Sequence, residues 1–166
     1  IECFNTSLAG FWRSFFAALL IAPLYAVLIA LRYPDAAAEV TPLRYVTVET
    51  IAYVMAWIVF PLAMAYIVRL LDREDRYFGY FAAYNWAIAP QVALTVLAGL
   101  LLWTGLFPGA LGTAIDLAAM GYGFGVLWFL ARNALDLPPG TAALIVAIDV
   151  LLNQLVFGVG WLLLRA

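Results

Sequence analysis

Arg69-Leu-Leu-Asp-Arg-Glu-Asp-Arg-Tyr-Phe78 is the one dense run of charge in a sequence that is otherwise mostly hydrocarbon. Six of its ten residues are ionisable, and three of those six are arginine. Charge at membrane depth is costly, so no lipid-buried helix carries such a run. The stretch must lie in water between two buried segments. It therefore fixes which side of a membrane the chain faces.

Composition outside the run gives the class. The 166 residues are 67% hydrophobic and 11% charged, with a mean hydropathy of +1.03. A soluble domain is typically about 45–50% apolar and about 25% charged. The sequence holds no lysine, and its eight arginines are scattered except at 69–76. That pattern does not suit a nucleic-acid surface, so no nucleic-acid partner is expected. There is no histidine and one cysteine, Cys3. An internal disulfide and a cysteine-based metal site are excluded. The usual general base and the usual haem and zinc ligand are missing as well. No cofactor is expected. The first residues lack a basic n-region and a small-residue cleavage site, so they are not expected to be a signal peptide.

A spanning helix needs about 20 mostly apolar residues to cross about 30 Å of hydrocarbon. Five stretches qualify, at about 14–31, 46–68, 84–107, 113–131 and 141–164. An open sheet edge in lipid leaves backbone groups unpaired. The expected fold is all-α: a polytopic membrane protein, one bundle of five transmembrane helices over residues 1–166.

Residues 4–13 place Phe4, Leu8, Phe11 and Trp12 at helical spacing. They suit a short interfacial helix or an extension of the first span. Pro23, Pro61 and Pro90 fall inside three spans, where kinks are ordinary. Thr41-Pro42 reads as a cap with proline at the first helical position, placing Glu49 near the wet end of the second span. Tyr84-Asn85-Trp86 opens the third span, its Tyr and Trp suiting an interfacial belt. Thr113-Ala-Ile-Asp116 has capping-box spacing, which makes Asp116 a first-turn capping residue. Leu137-Pro-Pro-Gly140 stops the fourth span, and Thr141 can cap the fifth.

Five crossings put Arg13, Arg69, Arg73, Arg76 and Arg132 on one side, and Arg32, Arg44 and Arg165 on the other. The first side is cytoplasmic by the positive-inside rule. The N-terminus is then cytoplasmic and the C-terminus outside. Arginine without lysine in an alanine-rich chain suits a GC-rich bacterial genome, and hence a bacterial inner membrane.

Polar groups at membrane depth mark candidate sites. Asp149 lies about 12 Å along the fifth span. Asn153 is one turn later on the same face, and Gln91 sits at similar depth in the third span. If those two spans touch, Asp149, Asn153 and Gln91 form one intramembrane polar site. The competing role for Asp149 is interhelical glue. Gly121-Tyr-Gly-Phe-Gly125 is no phosphate loop, because it is mid-span with no strand before it and no Lys-Ser/Thr after it. Gly121 and Gly125 have small-xxx-small spacing for helix packing, and Gly158 and Gly160 suit the same role. No nucleophile–base pair is visible, and the carboxylates do not pair within a helix. No catalytic residue, and no enzyme, is expected.

With the spans in order, residues 46–164 resemble the Yip-domain family of small polytopic proteins. The resemblance is carried by a helix ending in Arg69, a charged link and Tyr80-Phe-Ala-Ala-Tyr84 leading to a span with Pro90. Tyr122 to Leu130 follows, then Arg132-Asn-Ala-Leu135 before a final span. It implies five spans, a cytoplasmic N-terminus and an exposed C-terminus, and it carries over no catalytic residue. Eukaryotic members have a long cytoplasmic N-terminal region with an acidic, aromatic, proline-containing motif, which this sequence does not show. The family's trafficking role through small GTPases is therefore not carried over from the resemblance.

Two functional readings follow. The first is a non-enzymatic membrane protein, either a Yip-like scaffold or an accessory subunit of a membrane complex. Its partners would be membrane lipids and another membrane protein or a second copy. The alternative is a small transporter or proton- or ion-conducting protein with Asp149, Asn153 and Gln91 along its path. A lipid or quinone binder is a third, weaker reading.

Overall fold

The computed structural model describes residues 7–36, 40–103 and 109–165. Every regular element among them is helical: α1 (Leu8–Ser14), α2 (Phe16–Ala36), α3 (Pro42–Leu70), α4 (Tyr77–Trp103), α5 (Ala110–Ala134) and α6 (Pro139–Arg165). A 3₁₀ turn at Glu74–Arg76 leads into α4. Five helical stretches are long and apolar enough to cross a bilayer, with α1 and α2 together making the first. The protein is an all-α polytopic membrane protein.

α4 has α2 on one side and α5 on the other, and α6 has α3 on one side and α5 on the other. α2 and α3 touch more lightly and close the circuit. Lipid tails are as apolar as leucine, so close packing and hydrogen bonds hold such helices together more than water exclusion does. The main core gathers at the end bearing residues 71–76. Phe60, Met64 and Val68 of α3 meet Tyr80, Phe81 and Tyr84 of α4 there, with Ala131 of α5 and Ile145 of α6. A smaller cluster of Val40, Tyr45 and Leu164 lies at the other end.

α1 begins at Ser7, whose hydroxyl accepts from the Gly10 N–H at 3.2 Å. Phe15 separates it from α2, so the first crossing is built from two helices, a short α1 and a long α2. Residues 4–6 lie outside the described residues. α1 packs on the start of α4, where Phe11 meets Tyr77, Phe78 and Phe81 at ring separations of 5.6, 5.4 and 6.3 Å. Buried Asn85 donates to Ser14 Oγ at 2.8 Å, and Ser14 Oγ donates to the Phe11 carbonyl at 2.7 Å.

Several boundaries differ from the expected ones. α4 starts at Tyr77 rather than near Tyr84, because aromatic packing begins as soon as the charged run ends. Tyr84 and Asn85 are consequently buried, not part of an interfacial belt. At the far end of this helix, residues 104–107 fall outside the described residues. α5 starts at Ala110 after Gly109, whose φ of +65° suits glycine. Thr113 is thus inside the helix, where its hydroxyl donates to the Gly109 carbonyl at 3.4 Å. Asp116, nearly two turns in and exposed, is not a capping residue. Thr141 does not cap α6 either. That helix begins at Pro139, a favoured first position for proline, and Ala142 N–H already donates to the Pro138 carbonyl. α2, α3 and α4 run on as helices through Pro23, Pro61 and Pro90.

The charged end is built on two matching caps. Asp72 and Asp136 both adopt φ of +53°, just past α3 and α5. Arg73 N–H then reaches back to the Val68 carbonyl, and Leu137 N–H to the Arg132 carbonyl. This is the Schellman arrangement with aspartate where glycine is commonest. The two turns are fastened together. Arg73 Nε donates to the Leu135 carbonyl at 3.1 Å, and Arg76 pairs with Asp136 at 3.3 Å. The α5 helix stops at this turn, before the proline pair expected to end it.

Candidate functional site

Asp149 lies ten residues after Pro139 in α6, about 15 Å along the helix, and is 4% exposed. Tyr84 Oη donates to its Oδ2 at 2.8 Å. Asn153 Nδ2 donates to its Oδ1 at 2.8 Å and to its backbone carbonyl at 3.0 Å. Both carboxyl oxygens therefore have partners. Tyr84 itself is held between Phe60 of α3 and Tyr80 of its own helix, with ring separations of 5.1 and 5.8 Å. The cluster thus draws on α3, α4 and α6.

Asn153 comes one turn after Asp149, which is why their side chains meet. Gln91 does not join them. It lies seven residues beyond Tyr84, about 10 Å further along α4. Its side chain fills the space beside Gly123 of α5, where an added Cβ would collide with Gln91 Nε2. Gln154 is exposed.

The glycines divide the same way. A Cβ added at Gly121, Gly125 or Gly158 meets nothing within 4 Å, so these three do not make the close helix contacts inside this chain. Gly123, against Gln91, and Gly160, against Val48 and Ala52 of α3 at 3.5 and 3.7 Å, do.

Tyr84 is the member of the site that sequence reading missed. Its signal was present, since Tyr77, Tyr80, Phe81 and Tyr84 fall at i, i+3, i+4 and i+7, one face of a helix begun at Tyr77. Two further polar contacts were also missed. Tyr25 of α2 donates to Glu49 Oε2 of α3 at 2.6 Å, and Tyr53 of α3 donates to the Ala18 carbonyl of α2 at 2.6 Å. The rings of Tyr25 and Tyr53 stack at 4.6 Å. Glu49, expected near water, is half-buried seven residues into its helix.

A carboxyl, a phenol and an amide can bind a proton or clasp two helices. They do not form a nucleophile with its base. Among the described residues, no group of three or more His, Cys, Asp or Glu could hold a metal ion. The same residues contain no buried side-chain nitrogen or oxygen without a hydrogen-bond partner.

Five apolar crossings, the charged turn after α3 and the aromatic entry to α4 are the features that suggested a family. Residues 6–162 match the model of that family, the Yip1 domain. The chain belongs to the Yip1 domain family. The match takes in all five spans and the Asp149 cluster, and extends the resemblance seen over 46–164 back through α1 and α2. Yip1 domain proteins are non-enzymatic membrane proteins that work with other proteins. No curated protein and no solved structure matches the chain.

Proposed function

We propose that this Yip1 domain protein is a non-enzymatic scaffold or accessory subunit that binds other proteins within the membrane. The family match over residues 6–162 carries the reading. The polar groups support it. Asp149, Tyr84 and Asn153 satisfy one another across α4 and α6, and Ser14 and Asn85 do so across α1 and α4. In this reading they are internal fastenings, and function resides on the outer surfaces of the helices. By the arginine count, the turns at 71–76 and 135–138 face the cytoplasm of a bacterial inner membrane and the C-terminus lies outside. Purification in mild detergent should recover a partner in stoichiometric amount. A clean chain with no partner, from membranes solubilised under several mild conditions, counts against the proposal.

One observation supports the transport alternative: Asp149 is an ionisable side chain at membrane depth. Its pairing with Tyr84 and Asn153, and the distance to Gln91, favour the clasp. Asp149→Asn should abolish proton- or ion-dependent flux in liposomes if transport is the function. Unchanged flux, or none in the parent protein, removes that alternative.

A further inference from the structure

α5 and α6 line between them an open groove of about 630 Å³. Gly125, Ala143 and Ala147 leave it hollow, and Trp128, Val150 and Leu151 form its apolar walls. It runs from Ala143, four residues into α6, to Leu151. That is about 12 Å of helix rise, lying in the half of the bundle nearest the charged turns. One leaflet contributes about 15 Å of hydrocarbon. The groove therefore matches the depth of a single leaflet.

Its mouth is polar and fixed. Trp128 Nε1 donates to the Pro139 carbonyl at 3.0 Å, which pins the indole at the rim. The Arg132 guanidinium lies 5.4 Å from the centre of that ring. Arg132 is exposed and makes no ion pair among the described residues, whereas Arg69 and Arg76 both have carboxylate partners. An oily slot thus ends at an arginine that lacks a counter-charge.

We propose that this groove binds one anionic phospholipid from the leaflet at the arginine-bearing end. An acyl chain lies between α5 and α6, over Gly125 and Ala147, and the lipid phosphate sits on Arg132. A neighbouring apolar helix would fill the slot but leave Arg132 unmatched; a phospholipid satisfies both. Guanidinium presents two parallel N–H donors to phosphate oxygens. A juxtamembrane arginine improves attraction to an anionic headgroup by about fivefold. The proposal is independent of which protein partner the family role requires.

Native mass spectrometry of the full chain, with added phosphatidylglycerol or phosphatidylcholine in detergent, tests this. The parent protein should hold one phosphatidylglycerol per chain, about fivefold more tightly than phosphatidylcholine. Arg132→Gln should remove that preference. Ala147→Phe, which fills the groove from an exposed position, should weaken both lipids, and Ala143→Leu does the same from the upper end if that variant fails to insert. Phosphatidylglycerol retention unchanged in Arg132→Gln, or unchanged in the groove-filling variants, overturns the proposal. So does a groove-filling variant that converts a native dimer to monomer while lipid retention stays the same, because the occupant would then be a second copy.

Discussion

Removing the Tyr84 hydroxyl should loosen α4 from α6 without opening a cavity. The hydrogen bond from Tyr84 Oη to Asp149 Oδ2 is 2.8 Å long, and its two residues are 6% and 4% exposed. Interhelical hydrogen bonds in membranes average about 0.6 kcal/mol, with a maximum near 1.7. A bond to a charged acceptor is worth about 1.5–3 kcal/mol. Tyr84→Phe should therefore cost about 1–2 kcal/mol. Asp149→Ala strands two donors, the Tyr84 hydroxyl and the Asn153 amide, and should cost about 2–3 kcal/mol. Once Asp149 is gone, losing the Tyr84 hydroxyl should matter little. The double variant should thus be close to Asp149→Ala alone, giving a coupling energy of about 1–2 kcal/mol. Reversible unfolding in mixed micelles of dodecyl maltoside and SDS, followed by far-ultraviolet circular dichroism, measures all four corners of the cycle. Independent sites add to within about 0.3–0.5 kcal/mol. Coupling no larger than that, with all variants inserted and helical, refutes the clasp.

Gly123→Ala should destabilise the bundle by about 1–2 kcal/mol in the same assay, since its Cβ collides with Gln91, and Gln91→Ala should restore much of the loss. Gly125→Ala, with open space around it, should be neutral or slightly stabilising. Asn85→Ala removes the hydrogen bond that ties Ser14 to α4 and should free α1 from α4 at a cost of about 1 kcal/mol, read as faster proteolytic cleavage near residue 15. Asp72→Gly relieves an aspartate held at φ +53° and should raise stability by about 0.5 kcal/mol. Asp136→Gly should gain less, because it also removes the exposed pair with Arg76.

Helix number, and the placing of the charged run in a turn between two spans, were legible in the sequence, because both follow from burial of hydrocarbon and exclusion of charge. The run at 69–76 ends up as the end of α3, the Asp72 cap and the 3₁₀ turn. Boundaries were harder to read, because an apolar helix continues into its flanks wherever packing rewards it. Tyr84 looked like part of an interfacial belt, yet α4 begins at Tyr77 and its face from Tyr77 to Tyr84 packs against Phe11 and Phe60. Asp149 and Asn153 were legible as neighbours from their four-residue spacing. Their link to Tyr84, and the separation of Gln91, depend on how α4 is rotated about its axis. Gly123 was hidden for the same reason: motif spacing points to Gly121 and Gly125, whereas the buried face of α5 carries Gly123. The aspartate caps escaped notice because glycine is the usual residue at such turns.

Side-specific labelling of single cysteines tests the five-crossing bundle most directly. In a Cys3→Ser background, Asp75→Cys, Asp136→Cys, Ala110→Cys and Arg165→Cys are each exposed to a membrane-impermeant maleimide, in intact cells and in inverted vesicles. Positions 75 and 136 should react together from one face of the membrane, and 110 and 165 together from the other. Reaction of 75 and 136 from opposite faces, or of 165 from the same face as 75, contradicts the account.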